Sequence, residues 1–310
     1  MTSPSNAIPE SSLASQVLAP GTISAGQRLY WSMRRELWES RSIYIAPLAV
    51  AALFLFGFLI STIHLPEGMR TALALSPAQQ YEIIEQPYDF AALLLMATTL
   101  VVAIFYCLDA LHGERRDRSI LFWKSLPVSD LITVLSKASI PLVVLPLATF
   151  AITMVTQWIM LILSIVVLVG NGQSVAPLWS HLSLFKMAVG LLYHLLAIHG
   201  LWYAPIYGWL LLVSGWARRA AFLWAALPLL AIGFVERIAF NTSHFADMLK
   251  NRIDGGSEGA AIVASNMSMD SLAQLDPIHF LISPGLWIGL AVAAAFLAAA
   301  VRLRRYQGPI

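Results

Sequence analysis

The sequence predicts an all-α polytopic membrane protein with six transmembrane helices. Three observations carry this. Of 310 residues, 58% are hydrophobic and only 12% charged, against about 25% charged in soluble domains. Six stretches reach the roughly 20 apolar residues that a helix needs to cross about 30 Å of hydrocarbon. Lysine and arginine are also sorted unevenly between the connections, as the positive-inside rule requires.

In chain order, residues 1–22 are rich in Ser, Ala and Pro and lack an apolar core. They read as a disordered tail without a cleavable signal peptide. Residues 24–42, "SAGQRLYWSMRRELWESRS", place Leu29, Met33 and Leu37 on one helical face with Tyr30 beside them. Arg28, Ser32, Arg35 and Glu39 fall opposite, and Trp31 and Trp38 suit the headgroup layer. This predicts an amphipathic interfacial helix lying along the membrane. The spans are expected at 43–63, 90–111, 139–169, 185–213, 220–240 and 283–301. Pro141, Pro146 and Pro205 predict kinks in the third and fourth, and Leu131–Lys137 extend the third helix into water.

Two connections on one side are long. Residues 64–88 include "SPAQQYEIIEQ", where Ser76 suits a cap and Pro77 the first turn of a short helix. Residues 241–282 contain a helical "SHFADMLKNRI", a flexible "DGGSEG" and the approach "SNMSMDSLAQLDPIHF". This is an outer helical loop before the last span. Asn241 and Asn266 open Asn-x-Ser/Thr triplets there. The whole of 23–310 is expected to form one membrane domain.

Six spans put both termini on one side. With the termini inside, 14 of the 19 Lys and Arg residues fall inside and 5 outside, whereas 7 acidic residues fall inside and 10 outside. Both termini and residues 112–138 are therefore expected in the cytoplasm. The single cysteine, Cys107, excludes an intrachain disulfide.

Between the second and third spans stands "GERRDRSILFWKSLPVSDLITVLSK". Its residues suit a contact: Ile120, Leu121, Phe122, Trp123 and Leu126 form an apolar knob. Arg115, Arg116, Asp117 and Arg118 offer a charged rim. Pro127 ends the helix, and Ser129 or Asp130 can cap the next. A helix resting in lipid headgroups would carry the same residues.

The segment resembles the cytoplasmic signature of ABC-2-type exporter permeases, which runs Glu-Arg-Glu-x-Gly-Thr-Leu-Glu, an apolar stretch, Pro-Val-Ser, then Gly-Lys. Glu114, Arg115, Asp117, Ser119 and Ile120 match the first part, Pro127, Val128 and Ser129 the second, and Lys137 the closing Lys. Arg118 replaces Gly, Leu121 replaces Glu and Ser136 replaces Gly. The resemblance implies that this is a coupling helix docking into a separate ABC ATP-binding subunit. Glu114, Arg115, Asp117, Phe122, Trp123 and Pro127 are then the coupling residues. It also implies an amphipathic connecting helix with an Arg-Glu pair such as Arg35–Glu36, and a re-entrant outer loop to which "ISPGLW" is suited.

No Gly-rich ATP loop, zinc motif or nucleophile–base pair is present. No cofactor is expected in this chain, ATP-Mg belonging to the partner subunit, and nothing points to nucleic acid. His194 and His199, five apart, are poorly spaced for joint ligation. Thr149, Thr153, Thr156, Gln157 and Ser164 lie near one face of the third span, and His199, Tyr203 and Tyr207 step along the fourth. Thr153, Gln157, His199 and Tyr203 would line a translocation path, or hydrogen-bond neighbouring helices. Glu236 and Arg237 read as an outer polar pair or an interface marker.

The expectation is the permease subunit of an ATP-driven exporter in a bacterial inner membrane. It would be paired with a second copy or a paralogue, amid membrane lipids, and carry an unidentified, amphiphilic substrate. A membrane scaffold recruiting a cytoplasmic partner without transport is the alternative. An ion-coupled carrier would place charge near mid-bilayer, and an intramembrane hydrolase would need a nucleophile and base.

Overall fold

The structure, a computed structural model, describes residues 24–72, 74–125, 128–256, 277–308 and 310. The tail expected at 1–22, Pro127 and the triplet at Asn266 lie outside the described residues. Those residues form helices and connections without a strand. Six helices are long and apolar enough to cross a membrane: Ser42–Ser61, Gln86–Arg116, Asp130–Gly170, Leu184–Trp202, Ala221–Phe240 and Pro284–Tyr306.

Helix α1 (Ala25–Glu39) opens on a capping box between Ser24 and Gln27. Its Leu29, Met33 and Leu37 are half-buried, while Tyr30, Trp31 and Trp38 are exposed. The Arg34 guanidinium lies over both Trp31 and Trp38, at 5.2 and 5.4 Å. Arg35 departs from the polar face that periodicity assigns it and turns inward. Helix α2 (Ser42–Ser61) tolerates Pro47.

The first long connection holds α3 (Leu65–Ala72) and α4 (Pro77–Ile84), the former without a signal in the sequence reading. Ser76 stands just before the first turn of α4. Its hydroxyl donates to Gln79 Oε1 at 2.9 Å, and its backbone N–H reaches the same atom. Helix α5 (Gln86–Ala110) starts four residues before the expected span at 90.

The segment expected as one coupling helix over 114–126 is two short helices, α6 (His112–Arg116) and α7 (Ser119–Ser125). Arg118 breaks them at φ 59°, a left-handed conformation that disfavours a side chain bearing Cβ. It stands where the resembled signature has Gly. Ser129 caps α8 (Asp130–Ser139) by accepting from the Ile132 N–H.

A π segment, Ile140–Val144, joins α8 to α9 (Leu145–Gly170), so the helix of the third span does begin well before 139. The small α10 (Ala176–His181) precedes the fourth span. That span is broken into α11 (Leu184–His194), a π segment Leu195–Trp202 and α12 (Ala204–Trp216). The two π segments meet. Pro146 has no N–H for the Leu142 carbonyl four residues earlier. Gly200 packs where a Cβ would lie 2.9 Å from that oxygen, so only a bare Cα can approach this closely.

Helix α13 (Ala221–Phe240) leaves most of its apolar surface open, from Phe222 to Phe240, as a lipid-facing span requires. Next come α14 (His244–Ile253), α15 (Pro277–Ile282) and α16 (Pro284–Tyr306). The main core gathers Ile43, Tyr106, Cys107, Ile140, Ile198, Tyr207, Leu211 and Leu286. Helix α12 sits at its centre. Gly208 lets α16 close in, since a Cβ there would meet the Ala293 carbonyl at 3.2 Å.

Candidate functional site

At the arginine-rich end of the bundle four elements bring their charges together. Helix α1 contributes Glu36, 2% exposed, α6 Glu114, α8 Lys137 and α16 Arg304, all buried. Lys137 Nζ lies 3.0 Å from both Glu36 oxygens and 3.1 Å from Glu114 Oε1. Arg304 Nη1 pairs with Glu114 Oε2, and its Nε with Asp130 Oδ1 at 3.1 Å. Arg35 Nη2 reaches Glu36 at 2.5 Å and Glu114 at 3.4 Å. The Tyr106 hydroxyl donates to Glu36 Oε2 at 3.0 Å.

Three basic groups thus face three acidic groups, so the cluster is neutral among these six. Buried pairs of this kind add little net stability, because desolvation offsets attraction. What they fix is geometry: α1, α6, α8 and α16 cannot move apart without exposing an unpaired charge. Just outside, Glu39 lies 3.6 Å from Arg35. Burial pushes its carboxyl above the usual range, against the pull of the Arg35 charge.

A second set of bonds anchors the same segment to α12. Ser214 Oγ accepts from the backbone N–H groups of Leu111 and His112, at 3.0 and 2.9 Å. Arg115 Nη1 donates to the carbonyls of Gly215 at 2.6 Å and Ala217 at 3.2 Å. A cation there satisfies the orphan carbonyls and the negative end of the helix dipole. Arg115 Nε also reaches the Gly308 carbonyl at 3.3 Å.

The residues read from the sequence as one coupling surface therefore divide. Glu114 and Arg115 face inward and are bonded within the chain, not at a rim. Asp117 is exposed and pairs with Arg116 at 3.1 Å. Phe122 is 59% exposed, as is Leu121. Trp123 is half-buried beneath the Arg35 guanidinium, 3.9 Å from its ring centre, and meets Phe122 edge-on. Ile120 is buried and roots α7. Sequence reasoning missed Tyr106 and Arg304. Arg304 gave no signal in a basic tail. Glu36, three residues beyond Met33, lies on the apolar face of α1 and could have been found there.

Thr153 and Gln157 of α9 are buried. Gln157 Nε2 donates to the Tyr88 carbonyl at 3.2 Å, and the neighbouring Thr149 bonds Thr99. His199 Nε2 lies 3.3 Å from the Met96 carbonyl, and the Tyr203 hydroxyl donates to Ile253 O at 2.8 Å. Thr153 Oγ1, Gln157 Oε1 and His199 Nδ1 are buried without a hydrogen-bond partner among the described residues.

At the opposite end Glu236 does not face Arg237. It receives the N–H groups of His244 and Phe245, at 2.8 and 2.9 Å, at the start of α14. Arg252 of α14 lies over Trp202 at 4.2 Å and donates to the Gly285 carbonyl at 3.0 Å. Its guanidinium fills the notch above Gly289.

No family model, no curated protein and no solved structure matches the chain.

Proposed function

We propose that this chain is the membrane-spanning permease subunit of an ATP-driven exporter of the ABC-2 type. One observation carries the reading. The three points of resemblance, Glu36 of the Arg-Glu pair, Glu114 of the signature and its closing Lys137, come from two separate segments of the chain and share one ion cluster. Such an arrangement suits a lever. The α6–α7 unit is fixed at its base to α1, α8, α12 and α16, and leaves Leu121 and Phe122 as a free apolar tip.

In this reading a separate ATP-binding subunit, holding ATP-Mg, grips the tip. Its closure moves α6 and, through the cluster, the spans themselves. Both termini face the cytoplasm of a bacterial cell, and a second copy or a paralogue completes the path for an amphiphilic substrate. Leu121 and Phe122 replace Trp123 as the proposed anchors, because Trp123 is engaged by Arg35.

The test is co-purification with a candidate ATP-binding subunit from the same organism. Truncating an aromatic anchor costs about 2 kcal/mol, roughly thirtyfold in affinity. Phe122→Ala should release or uncouple the ATPase while the six-span fold persists. Unchanged co-purification, ATPase stimulation and transport would reject the anchor. Binding without any ATP-dependent transport would favour the scaffold alternative.

A further inference from the structure

At the arginine-rich end a cavity of about 760 Å³ opens between α7, α8 and α16. Trp123, Lys124, Val128, Asp130, Arg302 and Arg305 are among its walls. We infer that this cavity is a binding site for the phosphate headgroup of an anionic phospholipid. The inference rests on the six spans and not on transport.

Charge comes first. Asp130, the one carboxylate among the described wall residues, is held by Arg304, which also pairs with Glu114. Lys124 Nζ bonds a neutral acceptor, the Gln307 carbonyl, at 2.9 Å. Arg302 and Arg305 are exposed and carry no ion pair among the described residues. Among the described residues, three cations therefore face one cavity without an anion to balance them. That is the electrostatic complement of a phosphate.

Depth and shape select a lipid over a free anion. The cavity lies where α16 passes from apolar Ala298 and Val301 into its basic end, the kind of boundary that a span makes at the headgroup layer. Val128, Leu131, Ala298 and Val301 give the wall an apolar part, and exposed Leu131 and Leu135, one helical turn apart, continue it as a stripe along α8. An acyl chain can follow that stripe while the phosphate remains in the cavity. Exposed Tyr306 at the rim is the kind of side chain that sits at this interface.

The test is lipid retention by native mass spectrometry on delipidated protein re-exposed to phosphatidylglycerol or phosphatidylcholine. Wild type should retain phosphatidylglycerol preferentially. R302Q/R305Q removes two surface cations, each worth about 1 kcal/mol near an anionic headgroup, so retention should fall about thirtyfold. R302K/R305K should restore most of it. Ala298→Trp, which adds bulk to the apolar part of the wall, should lower retention with the charges unchanged. Three results would each overturn the inference. They are equal retention of both lipids, undiminished retention in R302Q/R305Q, and competition by glycerol phosphate as strong as by intact lipid. Loss of a co-purified ATP-binding subunit in R302Q/R305Q, with lipid retention unchanged, would reassign the cavity to a protein and also overturn it.

Discussion

Glu114→Gln is the most informative perturbation of the buried cluster. Its carboxylate holds Lys137 Nζ at 3.1 Å and pairs with Arg304. At an effective dielectric of about 20, one such contact is worth roughly 5 kcal/mol of attraction before desolvation. Removing one partner from a buried network costs about 3–5 kcal/mol, because the other charge stays buried and unpaired. Here Lys137 keeps Glu36 and Arg304 keeps Asp130, so the lower end, about 3 kcal/mol, is expected. Lys137→Met should cost a similar amount and leave the opposite charge in excess. The double variant restores balance among the remaining groups. It should therefore be less harmful than the two effects added, with a coupling of about 2 kcal/mol. Cys107 supplies the assay. It is the only cysteine and fully buried, so a thiol-reactive fluorogenic dye reports unfolding of the protein in micelles. At roughly 2–4 °C per kcal/mol, Glu114→Gln should melt about 6–12 °C lower. A single variant melting within 1 °C of wild type, or strictly additive effects in the double variant, would refute the cluster as an energetic unit.

Further tests address other elements. Arg118→Gly should stabilise by about 1 kcal/mol, since φ 59° is strained for arginine and free for glycine; a lower melting temperature would contradict the break between α6 and α7. In a Cys107→Ser background, cysteines at Lys124 and in 214–219 should resist impermeant maleimide in intact cells, whereas one at exposed Met248 should react; labelling of Lys124→Cys from outside would invert the topology. A Cβ on Gly289 would overlap the Arg252 guanidinium. The contact is with the far end of a flexible side chain, so Gly289→Ala should push it aside and stay within about 1 kcal/mol of wild type, alanine also being the better helix former; a loss above about 2 kcal/mol would show that the guanidinium cannot yield. Gln157→Leu should cost about 0.6 kcal/mol through loss of its bond to Tyr88 O; altered transport selectivity with unchanged stability would instead place Gln157 on the substrate path.

Hydropathy and charge along the chain were enough to give the spans, because the bilayer tests each segment separately: twenty apolar residues suffice whatever their neighbours are. The amphipathic period of α1 and the proline positions were legible for the same local reason. Proline removes its own hydrogen bond, so Pro146 and Pro205 announce irregular helix. Which form the irregularity takes, a π segment with Gly200 lying against the Leu142 carbonyl, depends on a second helix.

The charged segment shows the division most clearly. The sequence determined that residues 112–130 bear charge beside a membrane span, and that Phe122 and Trp123 are its aromatic residues. It did not determine which charges meet solvent. Glu114 finds its partners 79 and 190 residues away, at Arg35 and Arg304. Lys137 finds Glu36 across 101 residues. A charge among charges looks solvated when read locally. It becomes a buried pair only when folding sets its counter-ions within about 3 Å and excludes water. Tertiary structure alone therefore turned Glu114 and Arg115 inward, drew Trp123 under Arg35, and left Leu121 and Phe122 free at the tip.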